Sequence, residues 1–315
     1  MAITSTSTTG FSALVQELVL AKAQEELRGR LVHVMPGHYV PGRFVKGTNT
    51  IRFARYADLG ADTTPLNEGE SPVDQALSIG SDYFTATQYG KTIAVTDLAQ
   101  LDSPHDLISI ASERIARQAA ETMDLVVKDV LAAGTNVKYA GDATSRATVA
   151  QGDVITGALV KKMAASLKAA NVPTFADGFY RCVIHPFQEY DLITDTTANG
   201  WIESTKYVDN LPLLNGEIGR FAGVRFLVSS NAKVFAEAGA DDADVYSAHF
   251  FGPDSYTVGD SQTLQAYFVS PGGDHSDPLA QRAIAGYKMR FGAKLLDLTG
   301  ARYVRLETGA TLSGE

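Results

Sequence analysis

The stretch SPHDLISIASERIARQAAETMDLVVKDVLAAG, Ser103 to Gly134, decides how the rest of the chain must be arranged. Ile108, Ala111, Ile115, Ala119, Met123, Val126 and Val130 recur every three or four residues. Glu113, Arg114, Arg117, Glu121, Lys128 and Asp129 stand between them. That period is the signature of one helix with a single apolar stripe. Ser103 suits the N-cap and Pro104 the first helical position, while the Asp106 carboxylate completes a capping box and complements the helix dipole. Gly134 is a natural stop. Residues 104–133 therefore predict a rod of roughly 45 Å, well above the usual helix length.

Upstream of this helix the chain reads as extended. Apolar and polar residues alternate from Thr50 to Tyr56, and a second alternating, Thr-rich run spans Tyr83 to Thr96. These predict paired strands. The segment between them, LGADTTPLNEGESPVDQALSIG, is rich in turn residues and carries Glu68, Glu70 and Asp74 close together. The simplest picture is a two-stranded tongue with an acidic tip, marginal in water and in need of another surface. Before it, the Ser/Thr-rich residues 1–10 and an amphipathic helical stretch from Phe11 to Arg30 read as an arm, not a domain.

Downstream, Gly134 to Gly152 is rich in Ala, Gly, Thr and Asn and marks a boundary. Ile155, Leu159, Met163 and Leu167 predict a helix ending near Pro173, followed by a buried strand from Phe179 to Ile184. Helix and strand continue through Phe187 to Thr194 and Val224 to Ser229. Strands then follow at Val245 to Phe251, Leu264 to Val269, Ala283 to Leu296 and Ala301 to Glu307, read as a closing antiparallel sheet. The fold class is α+β.

Composition narrows the function. The chain has 315 residues, 45% of them hydrophobic, enough to bury a core. Its net charge of -9 and scattered Lys and Arg argue against tight nucleic-acid binding. The single cysteine, Cys182, rules out an intrachain disulfide and fits a reducing compartment. No signal peptide or membrane span is read, so the product is expected to be soluble and made in the cytosol.

No motif predicts catalysis. Gly42 to Thr48, GRFVKGT, lacks the lysine a phosphate loop needs after its second glycine. Cys182 and His185 are three apart, which on a strand sends a nucleophile and its base to opposite faces. Asp241, Asp242 and Asp244, and separately Asp274, His275 and Asp277, are turn-forming acids without a recognised ligand pattern. The run Tyr287-Lys288-Met289-Arg290-Phe291 is too short to be a base-stacking surface. Catalytic, cofactor-binding and metal-ligating residues are each expected to be none.

Six ordered segments carry a resemblance. They are TIRFARYADLGADTTPLNEGESP (Thr50 to Pro72), QYGKTIAVTD (Gln88 to Asp97), VIHPFQEYDL (Val183 to Leu192), LNGEIGRFAGVRFLVSS (Leu214 to Ser230), FGPDSYTV (Phe251 to Val258) and DPLAQRAIAGYKMRFGAKLLD (Asp277 to Asp297). Together they resemble the N4-like family of phage major capsid proteins. The resemblance implies an HK97-like capsid fold with an arm at 1–46, an extended loop at 47–96 and a spine helix at 103–133. It also implies an axial α/β domain at 152–234 and a peripheral domain formed by 97–151 and 235–315.

The implied function is the major capsid protein of a tailed bacteriophage, assembled in the host cytoplasm into hexamers and pentamers of an icosahedral shell around double-stranded DNA. Implied partners are copies of the chain itself and a portal protein; the arm is too short for the helical scaffolding region of some shells with this fold, so a separate scaffolding protein is expected, and a decoration protein stays open. No membrane and no cofactor are implied. Arg52, Arg55, Glu68, Glu70, Asp74 and Lys91 are the candidate assembly residues. Lys46 and Lys91 flank the tongue, but no reactive Lys-Asn cross-linking pair is identified. Two other readings stay open at this point: an encapsulin-like compartment shell, and a hydrolase using Cys182 and His185.

Overall fold

The computed structural model describes residues 31–39, 49–56, 59, 62–63, 65, 68–69, 71, 74–77, 79–195, 217–273, 277, 279–296 and 302–313. The expected helix at Phe11 to Arg30, the GRFVKGT segment, Lys46, Glu70, Asp274 and His275 lie outside these residues.

The strands are β1 (His38–Tyr39), β2 (Thr50–Tyr56), β3 (Ile79–Thr85), β4 (Thr87–Thr96), β5 (Val137–Tyr139), β6 (Tyr180–Ile184) and β7 (Glu217–Phe221). They continue with β8 (Val224–Val228), β9 (Val234–Phe235), β10 (Val245–Phe251), β11 (Tyr256–Val269), β12 (Arg282–Leu295) and β13 (Tyr303–Thr308). The helices are α1 (Asp97–Asp102), α2 (Leu107–Ala132), α3 (Gly157–Ala169) and α4 (Pro186–Thr194).

The long helix forms, with its start displaced from the expected position. Asp106 is the N-cap, and its carboxylate accepts from the backbone N–H of Ile108 and Ser109. Ser103 instead ends the short helix α1, and its hydroxyl accepts from the His105 N–H. An acceptor with two backbone donors in reach outcompetes a hydroxyl engaged in its own tight turn. At 1.5 Å per residue α2 is about 39 Å long. Gly134 follows its C-cap, Ala133, and is required by close packing: a Cβ there would stand 2.4 Å from Tyr303 Cε1.

Helix α2 buries Ala111, Ile115, Ala119, Val127 and Leu131 on one face. Its first half lies on a four-stranded sheet ordered β1-β11-β12-β4, where Ile115 and Ala119 meet Ala285, Tyr287 and Met289. Small alanines on the helix and on β12 permit that close approach. Its second half reaches a seven-stranded sheet ordered β5-β13-β10-β6-β8-β7, with β9 beside β10. There Val127 and Leu131 join Val183, Leu227, Phe251 and Tyr303 in one cluster. The opposite face of that sheet is covered by α3, whose Val160, Met163 and Leu167 pack on Cys182, Phe226, Phe250 and Leu306. Strands β10 and β13, covered on both faces, are buried at every position.

Two expectations are corrected. The run from Tyr83 to Thr96 does not pair throughout with Thr50 to Tyr56. It divides at Ala86: β3 pairs β2 over seven residues, whereas β4 pairs antiparallel with β12 from Thr87 opposite Phe291 to Thr96 opposite Arg282. Continuous alternation hides the division, because a strand changing partners keeps its period of two. Nor do the C-terminal strands close one antiparallel sheet. β11 and β12 join β4, while β10 and β13 belong with β6. Residues 152–234 contribute β6, β7 and β8 to the seven-stranded sheet, which also takes in β5, β10 and β13. Sheets recruit by burial and register, which sequence order does not encode.

Candidate assembly surfaces

The ribbon β2–β3 has two different faces. Ile51 stands opposite Phe84, and both are buried. Arg52 stands opposite Tyr83, and both are exposed. Ile79 shares the outward face with Tyr83, and the two are 63% and 59% exposed. The inward face is anchored to β12. A Cβ on Gly292 would lie 2.7 Å from the Thr85 carbonyl oxygen and 3.2 Å from the Phe84 ring, so only glycine admits the ribbon base here. Asp82 binds the ammonium of Lys294, which also donates to the Tyr83 carbonyl at 2.8 Å and lies 5.1 Å from the Tyr83 ring. Arg290 Nε donates to the Ala86 carbonyl at 3.2 Å, holding the point where the chain leaves the ribbon for the four-stranded sheet.

Glu70 apart, the five described assembly residues fall on different elements. Arg52 and Arg55 are on β2, with Arg55 paired to Gly80 in the backbone register. Glu68 and Asp74 are exposed in the segment between the strands. Lys91 is exposed on β4 opposite Tyr287, in the four-stranded sheet and not on the ribbon. Sequence reading missed Ile79, Leu77 and Tyr83 as an exposed apolar group, although the alternation of IGSDYFT already assigned Ile79 and Tyr83 to one face.

A second surface element is the stretch from 31 to 39. It packs on the body. β1 runs parallel to β11, pairing His38 with Thr257 and Tyr39 with Val258. The Tyr39 hydroxyl donates to Asp260 at 2.6 Å, and burial together with that carboxylate raises its pKa to about 12.

The residues once considered for chemistry have structural tasks. Cys182 is fully buried in β6, and burial pushes its thiol well above its ordinary range, so no thiolate is available. His185 caps α4, its Nδ1 accepting from the Phe187 N–H at 3.2 Å, and burial lowers its pKa. Asp241 and Asp242 adopt left-handed backbone at φ 52° and 58°, and Asp244 accepts from the Glu237 N–H at 2.9 Å. They form turns beside an open pocket of about 600 Å³. Asp277 accepts from the Arg282 N–H at 2.9 Å and starts β12. Among the described residues no group of three or more His, Cys, Asp or Glu side chains is placed to hold a metal ion. No described helix is long and apolar enough to cross a membrane.

Residues 81–304 match the family model described as phage capsid protein. The chain belongs to this phage capsid protein family. Its fold agrees with solved capsids. The capsid of Ralstonia phage GP4 superposes with a TM-score of 0.69 at 18% identity over 87% of each chain. The capsid of cyanophage P-SCSP1u gives 0.67 at 15% identity over 89% of each chain. That of cyanophage Pam1 gives 0.65 at 17% identity, covering 85% of this chain and 86% of that one. No curated protein matches the sequence. The mixed α+β architecture expected from the sequence is thus the HK97-like capsid fold, and this protein is a major capsid protein of a phage shell.

Proposed function

We propose that this capsid protein assembles into hexamers and pentamers of an icosahedral shell around double-stranded DNA, and that the β2–β3 ribbon is its principal intersubunit contact. One observation carries this: the ribbon buries one face on its own subunit at β12 and presents Arg52, Ile79 and Tyr83 on the other. Exposed apolar side chains on a two-stranded ribbon mark a surface that another chain covers. The outward-facing Arg52 supports a role for the expected assembly residues, and Arg55, Glu68, Glu70, Asp74 and Lys91 are proposed contacts of the same kind. α2 with the four-stranded sheet would be the peripheral unit, and the seven-stranded sheet with α3 and α4 the axial unit. Membership in the N4-like branch rests on the six segments quoted above.

A separate scaffolding protein guides assembly, and a portal protein and a decoration protein are further partners. The net charge of -9 fits a shell that encloses DNA without gripping it. Assembly takes place in the host cytoplasm. No catalytic step is assigned to the chain, since Cys182 is inaccessible and His185 is spent on a helix cap. The test replaces Ile79 and Tyr83 together by serine and compares particles by electron microscopy. A folded subunit that no longer closes shells supports the ribbon contact; wild-type shells from the double variant contradict it.

A further inference from the structure

A buried polar cluster joins the 31–39 segment to the body. His33 and His249 are both fully buried, with ring centroids 6.4 Å apart and planes at 72°. The His33 backbone N–H donates to Asp124 Oδ1 at 2.8 Å, and its Nδ1 lies 2.7 Å from Oδ2. The Tyr256 hydroxyl donates to the His33 carbonyl at 2.5 Å. His249 Nδ1 lies 2.6 Å from the Tyr303 hydroxyl, which in turn donates to the Leu131 carbonyl at 2.6 Å. A phenol has one proton, so Nδ1 carries the hydrogen and Tyr303 accepts it. His249 Nε2 faces Ser247 Oγ at 3.2 Å, itself 3.0 Å from the Lys233 carbonyl oxygen.

We propose that this cluster is an acid-sensitive latch that releases residues 31–39 from the body when His249 takes up a proton. The hydrogen bonds do not prevent protonation, since Ser247 can turn its hydroxyl to Lys233 and accept from Nε2. The charge does. His249 feels His33, Arg305 from β13 and Lys128 from α2, while Asp124 and Arg181 act on Tyr256, and Arg305, Glu307 and Cys182 on Tyr303. Asp124, the carboxylate beside His33, already accepts from its backbone N–H at Oδ1 and faces its Nδ1 at Oδ2. Glu307 is held by Arg146 and Arg305. An imidazolium at His249 would be desolvated beside His33, Arg305 and Lys128, and its pKa is lowered well below the ordinary 6.5 by burial first and these neighbours next.

In the proposed open form His33 no longer covers the His249 ring, which then titrates nearer its ordinary value. The open form then binds a proton below about pH 6.5 that the docked form refuses. Docking is therefore complete above that pH and weakens as pH falls, by up to about tenfold per pH unit. Beyond this cluster, Val32 and Val34 pack on the core, β1 pairs with β11, the Thr257 hydroxyl donates to the His38 carbonyl, and Tyr39–Asp260 and the half-exposed His38–Asp254 pair add to the hold. These contacts set how tightly the segment docks and leave the dependence on His249 in place.

Hydrogen exchange of the full chain, read peptide by peptide from about pH 8 to about pH 5 and corrected for intrinsic rate, tests the latch. The opening equilibrium of residues 31–39 should rise up to about tenfold per unit below about pH 6.5, with β6 and β13 still protected. His249→Asn, which keeps a donor for Tyr303 and cannot titrate, should abolish the slope, as should His249→Gln; His38→Gln should leave it. A flat wild-type profile, the same slope in both His249 variants, or loss of protection over β6 and β13 together overturns the proposal. If neither His249 variant folds, the wild-type profile decides, a slope confined to 31–39 supporting the latch and a flat one refuting it.

Discussion

Arg146 grips Glu307 with two parallel hydrogen bonds, Nε to Oε2 at 2.9 Å and a terminal nitrogen to Oε1 at 2.6 Å. Glu307 is fully buried in β13 and Arg146 is one-third exposed. The pair ties the loop before α3 to the last strand, and the Arg146 guanidinium lies 3.4 Å above the Phe235 ring of β9. Three separated parts of the chain thus meet at Arg146. Glu307→Gln removes the charge while leaving Arg146 and Arg305 in place. The expected loss is near the lower end of about 3–5 kcal/mol, because Arg146 reaches solvent. A urea-denaturation midpoint unchanged from wild type would show that the pair is neutral.

Gly292 makes the ribbon base possible, since a Cβ there meets the Thr85 carbonyl at 2.7 Å and the Ala86 Cα at 3.2 Å, both backbone atoms. Gly292→Val should therefore cost about 1–3 kcal/mol through overpacking and shift the ribbon relative to β12. Shell yield should fall further than thermal stability does. Equal losses in both would assign Gly292 a purely local role.

Tyr83 makes no comparable demand on its own subunit. Tyr83→Ala should change subunit stability by less than about 0.5 kcal/mol, apart from the lost ring contact with Lys294. Its effect should appear in assembly, as a higher protein concentration needed to form particles by sedimentation. A large drop in melting temperature with unchanged assembly would place the side chain in the fold instead of the interface.

Cys182 should be inert while the subunit is folded. Burial raises its pKa, so alkaline pH does not free a thiolate in the native state. A thiol reagent should find no group in the folded protein and one after denaturation. Rapid labelling of the native subunit would contradict the burial on which the non-catalytic reading depends.

Local signals were readable where one physical cause dominates. The stripe of α2, the strand Tyr180–Ile184, the helix Pro186–Thr194 and the strand Val245–Phe251 follow from period and caps that are printed in consecutive residues. The cap of α2 was misplaced by three positions because Ser103 and Asp106 are both good caps, and the choice depends on α1 ending at Ser103. Partner choice was not readable. Nothing in Tyr83 to Thr96 says that β3 turns to β2 and β4 to β12; that follows from Gly292 and Arg290, some two hundred residues away. The buried pairing of His33 with Asp124 is hidden for the same reason, being separated by 91 residues. The exposed face of Ile79 and Tyr83 was visible in the alternation, but which face meets the body depended on β12.

The most direct test of the shell reading is electron microscopy of particles from cells expressing the full chain with and without the proposed scaffolding protein. The account predicts closed icosahedral shells with the scaffolding protein and irregular curved assemblies without it. A chain that stays monomeric at high concentration in both preparations would contradict it.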